Sequence, residues 1–199
     1  MTGAAGLVTL TGFGSLLSEV SARSTFGPHL RNFRLARIRG FRRVFAHPAS
    51  VFFERGIGRL SSKEIASLST EPAAGGVFLA SVFDVPRALL PDFYAREEEF
   101  RIVAVPFEEL DGRPGEGEAL MCTRWTDDEY IQASGILPCR VYLRHCLLAV
   151  EKLGAEVSSD FADTTFLGDR ATTIREYVAA NPSIMDEQPP AHLVGRYSG

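Results

Sequence analysis

Thr11-Gly12-Phe13-Gly14-Ser15-Leu16-Leu17 follows directly on the apolar run Leu7 to Leu10, so a strand ends in a loop that sets two glycines around one aromatic residue. The Leu, Val, Thr and Phe of Leu7 to Phe13 favour a buried first strand. Glycine permits positive φ and close approach of the backbone to a small molecule, and the amides of Gly14, Ser15 and Leu16 are then expected to point outward as free donors. Such donors suit a carboxylate or an oxyanion. A Gly-x-Gly turn after a strand is also common as a plain turn, so the loop needs a second feature before it carries a function. Ser15 and Ser18 are placed to cap a short helical turn through Val20.

Outward from this loop, Phe33 to Phe45 broadly alternates apolar and basic residues, which predicts a strand with one buried and one wet face, bent near Gly40. Its arginines are expected to lie mostly on the wet face. Gly56 and Gly58 break the segment Phe52 to Leu60, and Ile65 to Leu68 reads as a short strand. Gly75-Gly76 opens Val77 to Val85, whose near-continuous apolar character predicts a central strand. Pro86 is placed in the first turn of a helix running through Leu89, Leu90 and Phe93. Phe100 to Phe107 and Ala119 to Trp125, joined by the turn-rich Asp111 to Gly117, read as a hairpin. After Thr126 the pattern changes. Pro138 opens a periodic stretch with Val141, Leu143, Leu147, Leu148, Val150 and Leu153, stopped by Gly154, and Thr172 to Ala180 reads as a second helix ended by Asn181-Pro182. Asp186 to Gly199 has too few periodic apolar residues for a further element. The reading is a β-rich body over residues 1–126 with a helical C-terminal extension, 127–199, packed on it and not independent.

With 199 residues, 45% of them apolar, the chain is long enough to bury one real core. Lys and Arg total 21 against 25 acids, a net charge of −4, which gives no general attraction to nucleic acid or to an anionic membrane. The arginines at 31, 34, 37, 39, 42 and 43 invite an RNA-binding reading, but the aromatic stacking motifs of RNA modules are missing. Met1 to Leu10 has no basic leader pattern, and no apolar run approaches the length of a membrane span, so a cytoplasmic protein is expected. Cys122, Cys139 and Cys146 lack CxxC or Cys/His ligand spacing and read as reduced, mostly buried thiols, with neither a disulfide framework nor a metal site. Cys139 and Cys146, seven apart on one helix, share a face. His29, His47, His145 and His192 show no paired spacing. Ser15 lacks the Gly-x-Ser-x-Gly elbow of a serine nucleophile.

The second feature is Arg96-Glu97-Glu98-Glu99-Phe100, three consecutive carboxylates at a helix-to-strand junction. Like charges in a row repel, so the cluster is either solvated throughout or holds one member in a special environment. Here it abuts Phe93, Tyr94 and Phe100, so one carboxylate is expected to turn inward.

Taken in order, these segments resemble the gamma-glutamylcyclotransferase-like superfamily. Gly12-Phe13-Gly14-Ser15-Leu16-Leu17 is similar to the family's Tyr-Gly-Ser loop, Arg96-Glu97-Glu98-Glu99-Phe100 to its Arg-Glu-x-x-Tyr pattern, and Gly40-Phe41-Arg42-Arg43-Val44-Phe45 to a segment of its relatives. The resemblance covers roughly residues 7–125. Two positions depart from it, since Phe13 and Phe100 stand where tyrosine is usual. The resemblance implies an α+β fold, a small mixed β-barrel carrying a helical C-terminal extension.

It also implies a cofactor-independent enzyme that cyclises a γ-glutamyl group to 5-oxoproline and releases an amine or amino acid. Glu97 would be the general acid/base, with the adjacent Glu98 and Glu99 as the fallback. Gly12, Phe13, Gly14, Ser15 and Leu16 would hold the substrate. Tyr130 is a further candidate, as a pocket wall or hydroxyl contact, with core packing as its other reading. A carboxylate doing both proton transfers needs partial burial beside apolar groups. The alternative function on the same fold is a non-catalytic module that binds a small carboxylate, with the C-terminal helices offering a protein partner a surface.

Overall fold

A computed structural model describes residues 6–125 and 134–199. Its centre is a ring of five strands: β1 (Leu7–Gly12), β2 (Arg31–Pro48), β3 (Glu64–Pro86), β4 (Arg101–Glu109) and β5 (Pro114–Thr123). The order β3-β1-β5-β4-β2 closes because β2 pairs back onto β3, so the expected small mixed barrel is present within an α+β fold. Four of the five ring pairings are antiparallel, and β1 against β5 is parallel. Closure removes the open edges that a sheet of this size would otherwise present. Two short strands add on in parallel, β6 (Leu137–Pro138) to β3 and β7 (Thr165–Leu167) to β2.

β3 corrects the expectation of two separate strands. Residues 64–86 form one strand, and the Gly75-Gly76 pair that reads as a break is a bend within it, with Gly75 at φ 74°. Opposite, β2 bends at Gly40, φ 80°, where its register with β3 shifts between Arg39 and Phe41. Five of the six arginines keep at least partial exposure, as expected, and Arg43 is the exception. Side chains alternate along a strand, so the adjacent Arg42 and Arg43 cannot share a face, and Arg43 is fully buried. Pro86 ends β3 rather than starting a helix; a 3-10 turn, Arg87–Leu89, intervenes before α3 (Leu90–Arg96), which takes its proline from Pro91.

Ser18 does cap a helix, its hydroxyl accepting from Ser21 N–H, but that helix, α1 (Glu19–Phe26), runs two turns longer than the sequence suggests. α2 (Ser50–Glu54) follows β2. The periodic stretch after Pro138 forms α4 (Arg140–Lys152), ended by Gly154 at φ 105°. α5 (Ala155–Thr164) was not expected: only Val157 and Phe161 of it are buried, too sparse a pattern to read. α6 (Ile174–Ala180) starts at a capping box between Thr173 and Glu176. The tail, read as irregular, contains a 3-10 helix at Ala191–Arg196. Among the described residues no helix is long and apolar enough to cross a membrane.

The main core runs through Ile38, Phe45, Phe78 and Met121 of the barrel into Leu143, Val150 and Phe161 of α4 and α5. A second cluster packs Ala22 and Phe26 of α1 and Phe93 of α3 against Leu10 and Phe83.

Arg43 bridges barrel and extension. Its guanidinium lies 4.9 Å from the Phe78 ring centre and 4.7 Å from that of Phe161, and donates to the Leu79 carbonyl at 3.0 Å, Asp160 Oδ2 at 2.8 Å and Thr164 Oγ1 at 2.8 Å. Asp160 Oδ2 also accepts from Leu79 N–H at 2.9 Å. Desolvation outweighs the attraction of Asp160 and brings the Arg43 pKa down to about 10.

Candidate active site

Both sequence motifs reach the same cavity, of about 440 Å³, although more than eighty residues separate them in the chain. β1 delivers the loop from one flank, and the junction of α3 with β4 delivers the carboxylates. The volume falls in the range of small-molecule sites.

The loop is built tightly. Gly14 precedes a 3-10 turn, Ser15–Leu17, in which Leu17 N–H donates to the Gly14 carbonyl at 3.0 Å. Ser81 Oγ on β3 donates to the Leu16 carbonyl at 2.8 Å and locks the turn onto the barrel. A Cβ on Gly12 would sit 2.5 Å from Leu16 Cβ and 2.7 Å from both the Leu16 carbonyl and Ser81 Oγ. Gly12→Ala is therefore expected to displace the turn and destabilise the protein by about 1–3 kcal/mol, the usual cost of overpacking, read as a lower denaturant midpoint. A midpoint equal to wild type would mean that the turn yields freely.

Of the three amides expected to be free, those of Gly14 and Leu16 find no acceptor among the described residues. Ser15 differs. Its N–H and hydroxyl face the hydroxyl of Tyr142, which α4 brings onto the loop; burial and the Cys146 thiol hold that phenol well above its ordinary pKa, against the smaller influence of Ser15. A Cβ on Gly14 would come within 2.7 Å of the same hydroxyl. Tyr142 is thus a site residue that sequence reading missed, because nothing in the α4 pattern marks which residue of an amphipathic face meets a loop over a hundred residues away. Phe13 lines the cavity from a position largely buried in the main core.

The three glutamates separate by geometry. Phe100 N–H donates to the Glu97 carbonyl at 2.9 Å, a tight turn that fans the side chains apart. Glu98 is exposed, whereas Glu97 and Glu99 are half-buried. Glu99 Oε2 lies 3.0 Å from His47 Nε2, and the His47 ring packs on Phe100 at 4.3 Å between centres. Burial would raise the Glu99 pKa, but hydrogen bonds from Ser50 and His47 outweigh it and hold the carboxyl below its ordinary range. Glu97 Oε1 accepts from Arg96 Nε at 2.7 Å, and Arg96 in turn lies over the Phe26 ring. Glu97 Oε2 has no hydrogen-bond partner among the described residues. Glu97 also faces Cys122, whose thiol is pushed up, by burial first and by the Glu97 charge second. Tyr130 lies outside the described residues. Among the described residues no group of three His, Cys, Asp or Glu side chains is arranged to hold a metal ion.

No protein-family model matches the chain, and neither does any curated protein. Solved structures do. The chain is similar to YkqA from Bacillus subtilis, with a TM-score of 0.53 at 13% identity, over 77% of this chain and 52% of that one, and so spans about half of YkqA. It is also similar to a gamma-glutamyl cyclotransferase, at TM-score 0.47 and 13% identity, over 67% of this chain and 89% of that one. A gamma-glutamyl cyclotransferase from yeast described as specific to glutathione aligns at TM-score 0.38 and 11% identity, over 92% of this chain and 89% of that one. At these identities the likeness is one of fold.

Proposed function

We propose that the protein is a γ-glutamyl cyclotransferase, which folds a γ-glutamyl substrate so that its own α-amine attacks its γ-carbonyl. The observation that carries this reading is one cavity that both the Gly12 to Leu16 loop and Glu97 line. Nucleophile and electrophile belong to one molecule, so the protein's first task is positioning. The free N–H groups of Gly14 and Leu16 are donors for the substrate α-carboxylate and for the oxyanion that develops on the γ-carbonyl, the kind of stabilisation that is worth about 3 kcal/mol per donor in enzymes.

The second task is moving one proton. As the α-nitrogen bonds to the γ-carbon, Glu97 takes a proton from that nitrogen; as the bond from the γ-carbon to the leaving nitrogen breaks, Glu97 returns the proton there. The products are 5-oxoproline and a free amine or amino acid, with no net change at Glu97. Glu97 suits this role better than Glu99, because the ion pair with Arg96 engages only its Oε1 and leaves Oε2 without a partner among the described residues, while Glu99 is held by both Ser50 and His47. Three free cysteines, two of them buried, fit a reducing compartment, and we assign the reaction to the cytoplasm.

The test is release of 5-oxoproline from a panel of γ-glutamyl compounds that includes glutathione, γ-glutamyl amino acids and γ-glutamylamines. At least one is expected to be turned over without added metal or cofactor. Folded protein that releases no 5-oxoproline from any of them would remove the proposal and favour the non-catalytic carboxylate-binding module.

A further inference from the structure

The cavity holds a second group of polar side chains that the cyclisation does not use, and they come from outside the five-stranded ring. Arg55 follows α2, His145 is on α4, and Arg196 and Tyr197 end the last 3-10 helix; all four line the cavity. They form one contiguous cluster. Arg55 Nη1 donates to Tyr197 Oη at 2.6 Å, the His145 ring meets the Tyr197 ring edge-on at 5.6 Å, and Arg196 is close enough to His145 for its charge to be felt there.

The cluster is rich in unused donors. Arg196 makes no hydrogen bond or ion pair among the described residues, and Arg55 spends only the one N–H on Tyr197. Glu54, beside Arg55, also lines the cavity, and no ion pair joins it to either guanidinium. His145 is 2% exposed, and its Nδ1 accepts Gly199 N–H at 2.9 Å, so the neutral ring carries its proton on Nε2. Burial, helped by Lys152 and Arg196, brings its pKa down to about 4 and keeps it neutral. The Nε2–H has no acceptor among the described residues. Two guanidiniums, an imidazole N–H and a phenol around one hollow, with no carboxylate of the described residues bound to them, are donors waiting for an anion.

We propose that Arg55, Arg196, His145 and Tyr197 form a carboxylate subsite for the far end of the γ-glutamyl ligand, so that the released group is an amino acid or peptide with a free carboxylate rather than a simple amine. The proposal rests on the γ-glutamyl reading above, which supplies the near end of the ligand. It also gives the C-terminal extension a task, since three of the four residues belong to it.

The experiment compares two ligands that differ only in this group, γ-glutamyl-alanine and its decarboxylated counterpart γ-glutamyl-ethylamine. Calorimetry on Glu97→Gln, which leaves the ligand intact, is expected to show about tenfold or greater preference for γ-glutamyl-alanine. Adding Arg196→Gln, a side chain that makes no bond whose loss would unfold the protein, is expected to shrink that preference to about threefold or less by weakening γ-glutamyl-alanine alone. Equal affinities for the two ligands would overturn the subsite. So would an equal loss for both ligands in the Arg196→Gln variant, which would put the guanidinium on the α-carboxylate that they share. Wild-type turnover of both compounds, run alongside, separates the two readings. Equal kcat/KM for 5-oxoproline release sinks the subsite and keeps the reaction, whereas carboxylate-selective binding without product keeps the subsite and sinks the reaction.

Discussion

Glu97→Gln is expected to lower the rate of 5-oxoproline release by about 10²–10⁴-fold, the contribution typical of a positioned general acid/base. Glutamine matches glutamate in size, and its carbonyl oxygen can still accept from Arg96 Nε, so the local turn and the cavity wall are kept. What it cannot do is take the proton from the attacking nitrogen and hand it to the leaving one. The loss should therefore fall on kcat, with ligand affinity by calorimetry close to wild type. Glu98→Gln and Glu99→Gln are the controls. Glu98 is exposed, and Glu99 is tied to His47 and Ser50, so each should lose much less. A larger loss in either would reassign the base by one or two positions, and an undiminished rate in Glu97→Gln would leave cyclisation without its proton carrier.

The largest expected effect on stability lies at Asp160. Asp160→Ala removes the charge partner of a fully buried guanidinium and should cost about 3–5 kcal/mol, because an uncompensated charge is left in the interior. Asp160 is itself partly exposed, which sets the expectation toward the lower end. Arg43→Met removes the charge instead and refills the space between Phe78 and Phe161 with a flexible apolar chain, so it should cost clearly less. Guanidinium chloride unfolding of both variants checks this order. If Arg43→Met proved the more damaging, the fit of the planar guanidinium between two rings would outweigh its charge pairing.

Local pattern made much of the barrel legible. The first strand, the bent β2 and the hairpin of β4 and β5 each carry alternation or turn chemistry within a few residues, and the mixed barrel was implied by the family resemblance that the loop and the acidic cluster carry. What escaped depends on distant partners. Gly75-Gly76 reads as a break because glycine usually is one, yet the strand continues past it and resumes its pairing with β2 on either side, Phe41 with Pro72 and Arg39 with Val77. Arg43 reads as a wet residue because its destination, between Phe78 and Phe161, is made by two other elements. Only two buried residues mark α5, so its helical period is nearly silent. Ser15 could not be seen to face the Tyr142 hydroxyl, and the cluster of Arg55, His145 and Arg196 comes from three segments with no motif among them.

Within the ring β1 lies parallel to β5, at Thr9 beside Ala119 and Leu10 beside Leu120. Of the ring's strands β1 is made before the others, and it must wait for a partner made more than a hundred residues later. Until then one side of β1 offers its N–H and C=O groups to any passing strand, the condition under which nascent sheets aggregate. Closing so long a loop also delays the reward for ordering it, which places this protein among slow folders for its size. A chain cut short before β5 would keep that edge permanently open, so truncation should be far more harmful at this end of the barrel than the small size of the lost pairing suggests.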